Sequence, residues 1–286
     1  MVKYQIGNKI RKQLQLFSNL IYVLGKDMIK MYIDIEKAKR EFLNYAKKFD
    51  TNISQIDRKR WHSLRVMDIS NKIVKMQNLN EEDIEIATLI GLLHDIARFE
   101  QFTQFQTFSD LNSFDHGDYG AKLLFEDGMI KNYIDTDKYD NIIEKAIKNH
   151  NKFAIEEGLT QRAEFFAKLI RDADKLDIIY ESVYIFWKGE ENKILSSKID
   201  EDVLNQFLNK KQIKREKGKK YLYINNIISV IAFIYDINYK ETFELIHKNN
   251  YINKILDRYK FNNISTKEEI EKIRKIANDY IEEKVK

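Results

Sequence analysis

The sequence contains no cysteine among its 286 residues. Disulfides, zinc sites built from thiolates and catalysis by a cysteine nucleophile are therefore excluded. Any metal must instead be bound by histidine, aspartate or glutamate. The lack of disulfides also fits a reducing compartment such as the cytoplasm.

Proline is absent too, and there are only nine glycines. A chain of this length would carry roughly fourteen prolines at the usual frequency of about 5%. Because proline interrupts helices more strongly than any other residue, its absence favours long helices. A compositional bias toward Lys, Ile and Asn is a second explanation, and neither explanation indicates a function.

Long apolar runs are missing from the first 31 residues. Basic residues interrupt each apolar stretch there, namely Lys9, Arg11, Lys12, Lys26 and Lys30. A spanning helix needs about 20 consecutive apolar residues, and a signal peptide needs a longer apolar core than this segment offers. We therefore expect a cytoplasmic protein with no membrane partner.

Charge of either sign is only weakly in excess, with a formal net charge of +4. Hydrophobic residues make up 43% and charged residues 33%, a balance typical of a folded globular protein. Such a small excess does not indicate a nucleic-acid partner. One basic run, residues 210–220, could contact nucleic acid, but a solvated loop is the simpler interpretation.

The periodicity of apolar residues predicts an all-α protein. The expected helices cover residues 34–49, 60–76, 82–97, 115–126, 137–150, 160–180, 224–235, 239–256 and 267–283. The stretch 84–93 is apolar on all sides, which predicts a buried central helix. The aromatic- and amide-rich segment 98–114 is not periodic, and we interpret it as a loop that lies beside a site or simply on the surface.

These patterns suggest three parts. Residues 1–34 would form an N-terminal helical extension, residues 35–190 a catalytic domain, and residues 191–286 a helical C-terminal subdomain packed on the core. We find no internal repeat and no low-complexity linker between them.

The most informative dipeptide is His94–Asp95, which ends the apolar helix. A carboxylate and an imidazole are costly to bury there unless something compensates them. A divalent cation is one such compensation, because imidazole nitrogen and carboxylate oxygen together bind several transition metals. The alternative is an exposed helix end, with Asp95 paired to Arg98 three residues further on.

A second acidic signal lies in the pattern predicted for residues 160–180. Asp172, Asp174 and Asp177 interrupt an apolar helical repeat, although aspartate is unfavourable inside helices. Asp174 is a candidate metal ligand, or else the partner of a neighbouring cation. Asp172 and Asp177 are read most simply as residues of a solvated or ion-paired face.

Taken in order, these residues resemble the HD superfamily of metal-dependent phosphohydrolases. That family's pattern is a histidine, then a His–Asp pair, then a distant aspartate, matched here by His62, His94–Asp95 and Asp174. The resemblance covers about residues 40–180. It implies an HD-domain helical bundle, followed here by additional C-terminal helices, with the metal held by these four residues.

Some branches of the family hold two metals and use two further histidines between the pair and the last aspartate. His116 and His150 stand at those places, so the resemblance implies a dinuclear site bridged by Asp95. The alternative is that these two histidines bind substrate phosphate or cap helices. One or two divalent ions are expected, and Mn, Fe, Co, Ni, Mg and Zn are not distinguished.

Cations near the ligands are candidates to bind phosphate oxygens. Lys59 precedes His62 by three residues, Arg98 follows Asp95 by three, and Lys175 adjoins Asp174. Arg98 and Lys175 are the strongest of these candidates. Glu100 is a candidate for positioning water, although its spacing from the His–Asp pair departs from the family's usual forms.

The function expected from this pattern is hydrolysis of a small phosphorylated substrate of the nucleotide type by metal-activated water. One alternative is a di-iron oxygenase of the same superfamily. Another is a non-catalytic binding protein with a structural metal site. A homo-oligomer is compatible with the sequence, and a nucleic-acid partner is not favoured.

Overall fold

Helices form almost all of the regular structure in the computed structural model, which describes residues 33–185, 193–216 and 218–286. In chain order they are α1 (Ile35–Ala46), α2 (Ser54–Met76), α3 (Glu81–Leu93), α4 (Arg98–Phe105), α5 (His116–Ala121), α6 (Asp140–Asn149), α7 (Gln161–Tyr184), α8 (Glu201–Leu208), α9 (Tyr223–Ile231), α10 (Lys240–Lys248), α11 (Tyr251–Leu256) and α12 (Ile264–Val285). The predicted all-α fold class is confirmed.

Helix α3 lies at the centre of the core, as its uniformly apolar sequence predicts. Asn80 caps its first turn by accepting a hydrogen bond from the backbone N–H of Asp83. Residues 86–97 are all buried. Helices α2 and α3 cross so closely at Gly91 that a Cβ atom there would lie 2.8 Å from the Val66 carbonyl oxygen. The close crossing brings the end of α3 against the middle of α2.

Helix α7 is the longest helix of the described residues, with 24 residues. The Thr160 side chain caps it by accepting a hydrogen bond from the Ala163 backbone N–H. It packs against α2, α3 and α6 on one side and against α9, α10 and α11 on the other. The middle of α7 therefore faces the end of α3.

The prediction of a loop over residues 98–114 is partly wrong, because the first half of this segment is helix α4. Phe99 and Phe102 recur at helical spacing and are buried, and the Phe99 ring packs edge-on against Phe42 at 5.9 Å between centroids. The helix ends at Phe105, and the next residue, Gln106, has a positive φ of 53°. The rest of the segment is irregular except for a short 3-10 turn, Asp110–Asn112.

Other helix boundaries also differ from the prediction. The helix predicted over residues 239–256 is two helices, α10 and α11, separated at Asn250, whose positive φ of 53° does not continue an α-helix. Helix α2 begins six residues before the predicted start. Residues 122–126 form a π-helical turn after α5, and residues 232–236 form a 3-10 turn after α9.

A short pair of parallel strands was not predicted. Strand β1 (Lys193–Leu195) pairs with β2 (Tyr259–Phe261), with Lys193 opposite Tyr259. Strands of three residues carry too little alternation to be recognised in a sequence. They join the two ends of the C-terminal region without changing the fold class.

The C-terminal region is anchored on α7 by buried polar contacts. The Asp172 carboxylate accepts hydrogen bonds from the backbone N–H groups of Asn238 and Tyr239, and from the Thr242 hydroxyl. The division into parts at residues 34 and 190 stays a prediction, and the N-terminal extension lies outside the described residues up to residue 32. Among the described residues, no helix has the length and apolar character needed to cross a membrane.

Candidate metal centre

Six side chains predicted as metal ligands converge between α2, α3 and α7. His62 lies on α2, His94 and Asp95 follow α3, and Asp174 lies on α7. His116 is the first residue of α5, and His150 follows α6 directly. Five of the six residues are at most 3% exposed, and Asp174 is half-buried. The middles of α2 and α7 and the ends of α3, α5 and α6 thus bring these side chains to one point of the core.

The first group of donor atoms comes from His62, His94, Asp95 and Asp174. The His62 Nε2 atom lies 3.1 Å from Asp174 Oδ1, 3.2 Å from His94 Nε2 and 3.4 Å from Asp95 Oδ2. Ligands bound at about 2.0–2.2 Å to one cation lie roughly 3–3.5 Å from each other. The first group therefore has the spacing that a single divalent cation requires.

The second group comes from His116, His150 and the other oxygen of Asp95. The two Nε2 atoms are 2.9 Å apart, and they lie 3.3 and 3.5 Å from Asp95 Oδ1. Asp95 thus turns Oδ2 toward the first group and Oδ1 toward the second. This is the arrangement of a carboxylate that could bridge two cations.

All four imidazoles are held through Nδ1, which leaves Nε2 directed into the centre. The Nδ1 atoms of His94 and His150 donate to the backbone carbonyls of Gly91 and Ile147, at 2.9 and 2.6 Å. Since a carbonyl oxygen only accepts, Nδ1 carries the proton in each ring, and Nε2 is the atom left to act as a metal ligand. Lone pairs that converge on carboxylates form a donor set suited to a cation.

The other two imidazoles are held by carboxylates. His62 Nδ1 lies 2.6 Å from Asp177 Oδ2, and His116 Nδ1 lies 2.6 Å from Asp110 Oδ2. Carboxylate partners of this kind fix the tautomer of a ligating histidine and increase its basicity. Asp177 is in turn fixed by two hydrogen bonds from Arg65, at 2.7 and 2.9 Å.

The charges of the first group favour a cation. Burial and Lys59 lower the pKa of His62, but contacts with Asp174, Asp177 and Asp95 outweigh them and raise it to about 10. Burial alone would raise the pKa of Asp95 and Asp174, yet neighbouring positive groups hold both well below the ordinary value. Three carboxylates around one imidazole therefore favour positive charge, which a metal ion would supply.

The pKa values of His94 and His116 shift in the opposite direction to that of His62. Burial lowers the pKa of His94. Burial and the nearby Arg98 lower the pKa of His116 to about 3. Neutral imidazole is the form that binds a metal. The site residues therefore fit one or two divalent cations.

Two of the predicted cationic residues lie at the centre. Lys59 Nζ is 2.6 Å from Asp95 Oδ2, and Arg98 Nε is 3.4 Å from Asp95 Oδ1. The Arg98 guanidinium also contacts Asp110 at 3.0 Å. Asp95 and Arg98 do form the pair considered as an alternative to metal binding, but they form it in a buried setting beside the histidines.

The other two predicted catalytic residues contact different partners. Lys175 Nζ lies 2.6 Å from Asp236, and burial together with Arg171 lowers its pKa. Glu100 accepts hydrogen bonds from the hydroxyl groups of Tyr119 at 2.7 Å and Tyr45 at 3.3 Å. Both residues thus have contacts that fasten helices together.

Asp110 and Asp177 are the site residues that sequence reasoning missed. Asp177 is separated from His62 by 115 positions, and its helical spacing alone favoured an ion-paired face. Its position three residues after Asp174, one turn along the same helix face, is the signal that could have identified it. For Asp110, within an irregular segment, the sequence offers no comparable signal.

Comparison with known proteins identifies one family. The family model of the HD domain matches residues 61–179, a range that contains all six residues of the two donor groups. No curated protein and no solved structure matches the chain.

Proposed function

Because residues 61–179 form an HD domain, we propose that the protein is a metal-dependent phosphohydrolase acting on a small nucleotide-like molecule. The cleaved bond would be a phosphate ester or anhydride. The observation that carries the proposal is the placement of the two Asp95 oxygens. Each oxygen faces its own pair of histidine Nε2 atoms, at 3.3–3.6 Å.

Bound divalent cations would supply hydroxide near neutral pH and would polarise a phosphoryl oxygen. The protein's contribution is to hold them. His62, His94 and Asp174 would bind one ion, and His116 and His150 the other. Asp95 would be shared between them. Asp177 and Asp110 keep two of the imidazoles in the required orientation.

Lys59 and Arg98 are the residues we assign to the substrate phosphate. Lys59 Nζ and the Arg98 guanidinium both lie beside the Phe108 ring, at 5.5 and 5.8 Å from its centroid. The buried Arg98 Nε makes no hydrogen bond among the described residues, although it lies 3.4 Å from Asp95 Oδ1. An arginine N–H of this kind is suited to a phosphate oxygen. Phosphoryl transfer depends mainly on such positioning and charge stabilisation.

Lys175 and Glu100 have a structural role in this proposal. Lys175 shares Asp236 with Arg171, and Glu100 joins α4 to α1 and α5 through two tyrosines. Substitution of either residue would then affect the free energy of unfolding more than the rate of hydrolysis.

The test is product release from a panel of nucleotides by protein supplied with Mn²⁺. We expect hydrolysis that requires metal and is lost in Asp95→Ala. The matched control is Asp127→Ala, which removes a carboxylate that is 47% exposed and pairs with Lys122. Hydrolysis that persists in folded Asp95→Ala would contradict the proposal, and oxygen consumption by iron-loaded protein would favour the oxygenase alternative.

A further inference from the structure

A cavity of about 450 Å³ lies beside the metal centre. One wall is the short turn around Asp110, which contributes Ser109, Leu111 and Asn112. The opposite wall comes from the C-terminal region, mainly Arg215 and Tyr221. The volume falls within the range of about 300–1,000 Å³ that is typical of small-molecule sites.

The cavity and the metal centre share the turn Asp110–Asn112. Leu111 and Asn112 of this turn line the cavity, and the Asp110 carboxylate contacts His116 Nδ1 at 2.6 Å and Arg98 at 3.0 Å. The residue that holds an imidazole of the second donor group is thus the chain neighbour of residues that line the cavity.

The C-terminal wall has more cations than carboxylates, since Arg215, Lys219 and Lys220 line it together with Glu216. Arg215 donates a hydrogen bond to the Asn226 amide oxygen at 2.7 Å, but no described carboxylate pairs with it or with Lys220. Lys219 differs, because it pairs with Asp202 at 2.9 Å. Lys219 thus lines the cavity as a paired cation, whereas Arg215 and Lys220 line it without a carboxylate partner among the described ion pairs.

The same cavity offers apolar and planar surface. Leu111 is 53% exposed, so its side chain offers apolar surface at the cavity. Tyr221 lies on the opposite wall, with the Arg215 guanidinium 5.4 Å from its ring centroid. A ligand that fits would combine anionic groups with an apolar or planar portion.

We propose that this cavity is the subsite for the part of the substrate remote from the cleaved bond. This inference rests on the proposed function. One phosphate would lie at the metal centre and a second would be bound by Arg215 and Lys220, with the nucleoside against Leu111 and Tyr221. The substrate class is then a nucleotide with at least two phosphate groups.

The first test compares two substrates in Mn²⁺, ATP and p-nitrophenyl phosphate. In the double variant Arg215→Ala/Lys220→Ala we expect KM for ATP to rise about 10-fold or more, because hydrogen bonds to charged groups are lost. Turnover of p-nitrophenyl phosphate, which is too small to span both sites, should stay within twofold. An equal loss on both substrates would overturn the proposal.

The matched control is Lys211→Ala/Lys214→Ala. It removes the same charge from the same run, at residues that do not line the cavity. We expect unchanged kinetics on both substrates. An increase in KM for ATP as large as that of the first double variant would show a general charge effect and would overturn the subsite.

A binding measurement separates this inference from the proposed function. Calorimetry with the non-hydrolysable analogue AMP-PNP needs no turnover, so it remains decisive if wild type hydrolyses neither substrate. We expect binding that weakens about 10-fold or more in Arg215→Ala/Lys220→Ala and not in the control. Absence of binding to wild type, or equal binding to all three proteins, would overturn the subsite. Tighter binding of a single-stranded RNA oligonucleotide, weakened equally by both double variants, would replace it with a nucleic-acid surface.

Discussion

Asp177 contacts the candidate metal centre through His62 and belongs to neither donor group. Its carboxylate holds His62 Nδ1 at 2.6 Å and is itself fixed by Arg65. The carboxylate is fully buried, so its orientation is set by packing as well as by hydrogen bonds. The position of the His62 lone pair therefore depends on a residue 115 positions away.

Replacing Asp177 with Asn tests this dependence. We expect affinity for Mn²⁺ to fall about 10- to 100-fold, because residues that orient metal ligands typically have effects of this size. Isothermal titration calorimetry measures the change. Glu181→Gln is the matched control, since Glu181 also accepts a hydrogen bond from Arg65 but forms no hydrogen bond or ion pair with His62 among the described residues. Equal losses of Mn²⁺ affinity in the two variants would show that the effect comes from Arg65 and not from the orientation of the His62 imidazole.

At this scale the sequence predicted six residues whose side chains converge in the fold, but it did not predict the partners that orient them. The HD pattern depends on residue type and order, which a sequence displays directly. Asp110 and Asp177 depend on which way a side chain turns after the helices have packed. The same limit applies to Lys175, which adjoins Asp174 in sequence but pairs with Asp236 in the fold.

Among the elements, the crossing of α2 and α3 determines how His62 and His94 meet. At Gly91 an added Cβ atom would lie 2.8 Å from the Val66 carbonyl oxygen and 2.9 Å from the Met67 Cα atom. These are backbone atoms, so the helices themselves would have to separate. A glycine at this crossing thus allows the close approach that the site requires.

Gly91→Ala should therefore destabilise the protein by about 1–3 kcal/mol, the usual cost of overpacking a core. The control is Gly120→Ala in α5, where the nearest atom would be 3.5 Å away. That change should be neutral, or stabilising by up to about 1 kcal/mol through helix propensity. Urea unfolding monitored by circular dichroism gives both values. Equal stability of the two variants would contradict the close crossing.

The first turn of α3 supplies a prediction about pH. Hydrogen bonds from Lys138 and Arg162 lower the pKa of Glu82 from 4.5 to about 2. A carboxyl group with a lowered folded-state pKa contributes stability above its unfolded pKa, and this contribution is lost as the pH falls through the folded value. Because both cations are at least 40% exposed, the contribution should be below about 1 kcal/mol.

We expect Glu82→Gln to be less stable than wild type at pH 6, with a difference that shrinks below about pH 4.5 and vanishes near pH 2. Denaturant unfolding at pH 6, 4 and 2.5 measures this trend. Glu81→Gln is the control, since Glu81 lies in the same turn and forms no ion pair among the described residues. A difference that stays constant with pH would show that charge on Glu82 contributes nothing.

Helix boundaries show how far the sequence could be followed at the level of elements. The apolar stretch of α3 was recognisable because a helix that is buried on all sides has no polar face to interrupt its apolar sequence. Helix α4 was not recognised, because its eight residues give only two turns of apolar repeat. The division of residues 239–256 depends on Asn250 adopting a positive φ, which nothing in the local pattern requires.

For the whole molecule, the C-terminal region contributes to both the core and the candidate substrate site. Buried Asp172 and Arg171 of α7 join it to the HD domain through Asn238 and Asp236. This anchorage places the basic run opposite the turn that holds Asp110. The sequence suggested a solvated loop, and the described residues of the run are irregular and mostly exposed. A charge run does not show which elements lie across from it in the fold.

The number of divalent cations bound per chain tests the central claim most directly. Calorimetric titration with Mn²⁺, checked by elemental analysis of dialysed protein, should give two ions for wild type and one for His150→Ala, because His150 belongs only to the second donor group. His247→Ala, which changes an exposed histidine outside both groups, should still bind two. A single ion in wild type, or an unchanged count in folded His150→Ala, would contradict a centre of two cations joined by Asp95.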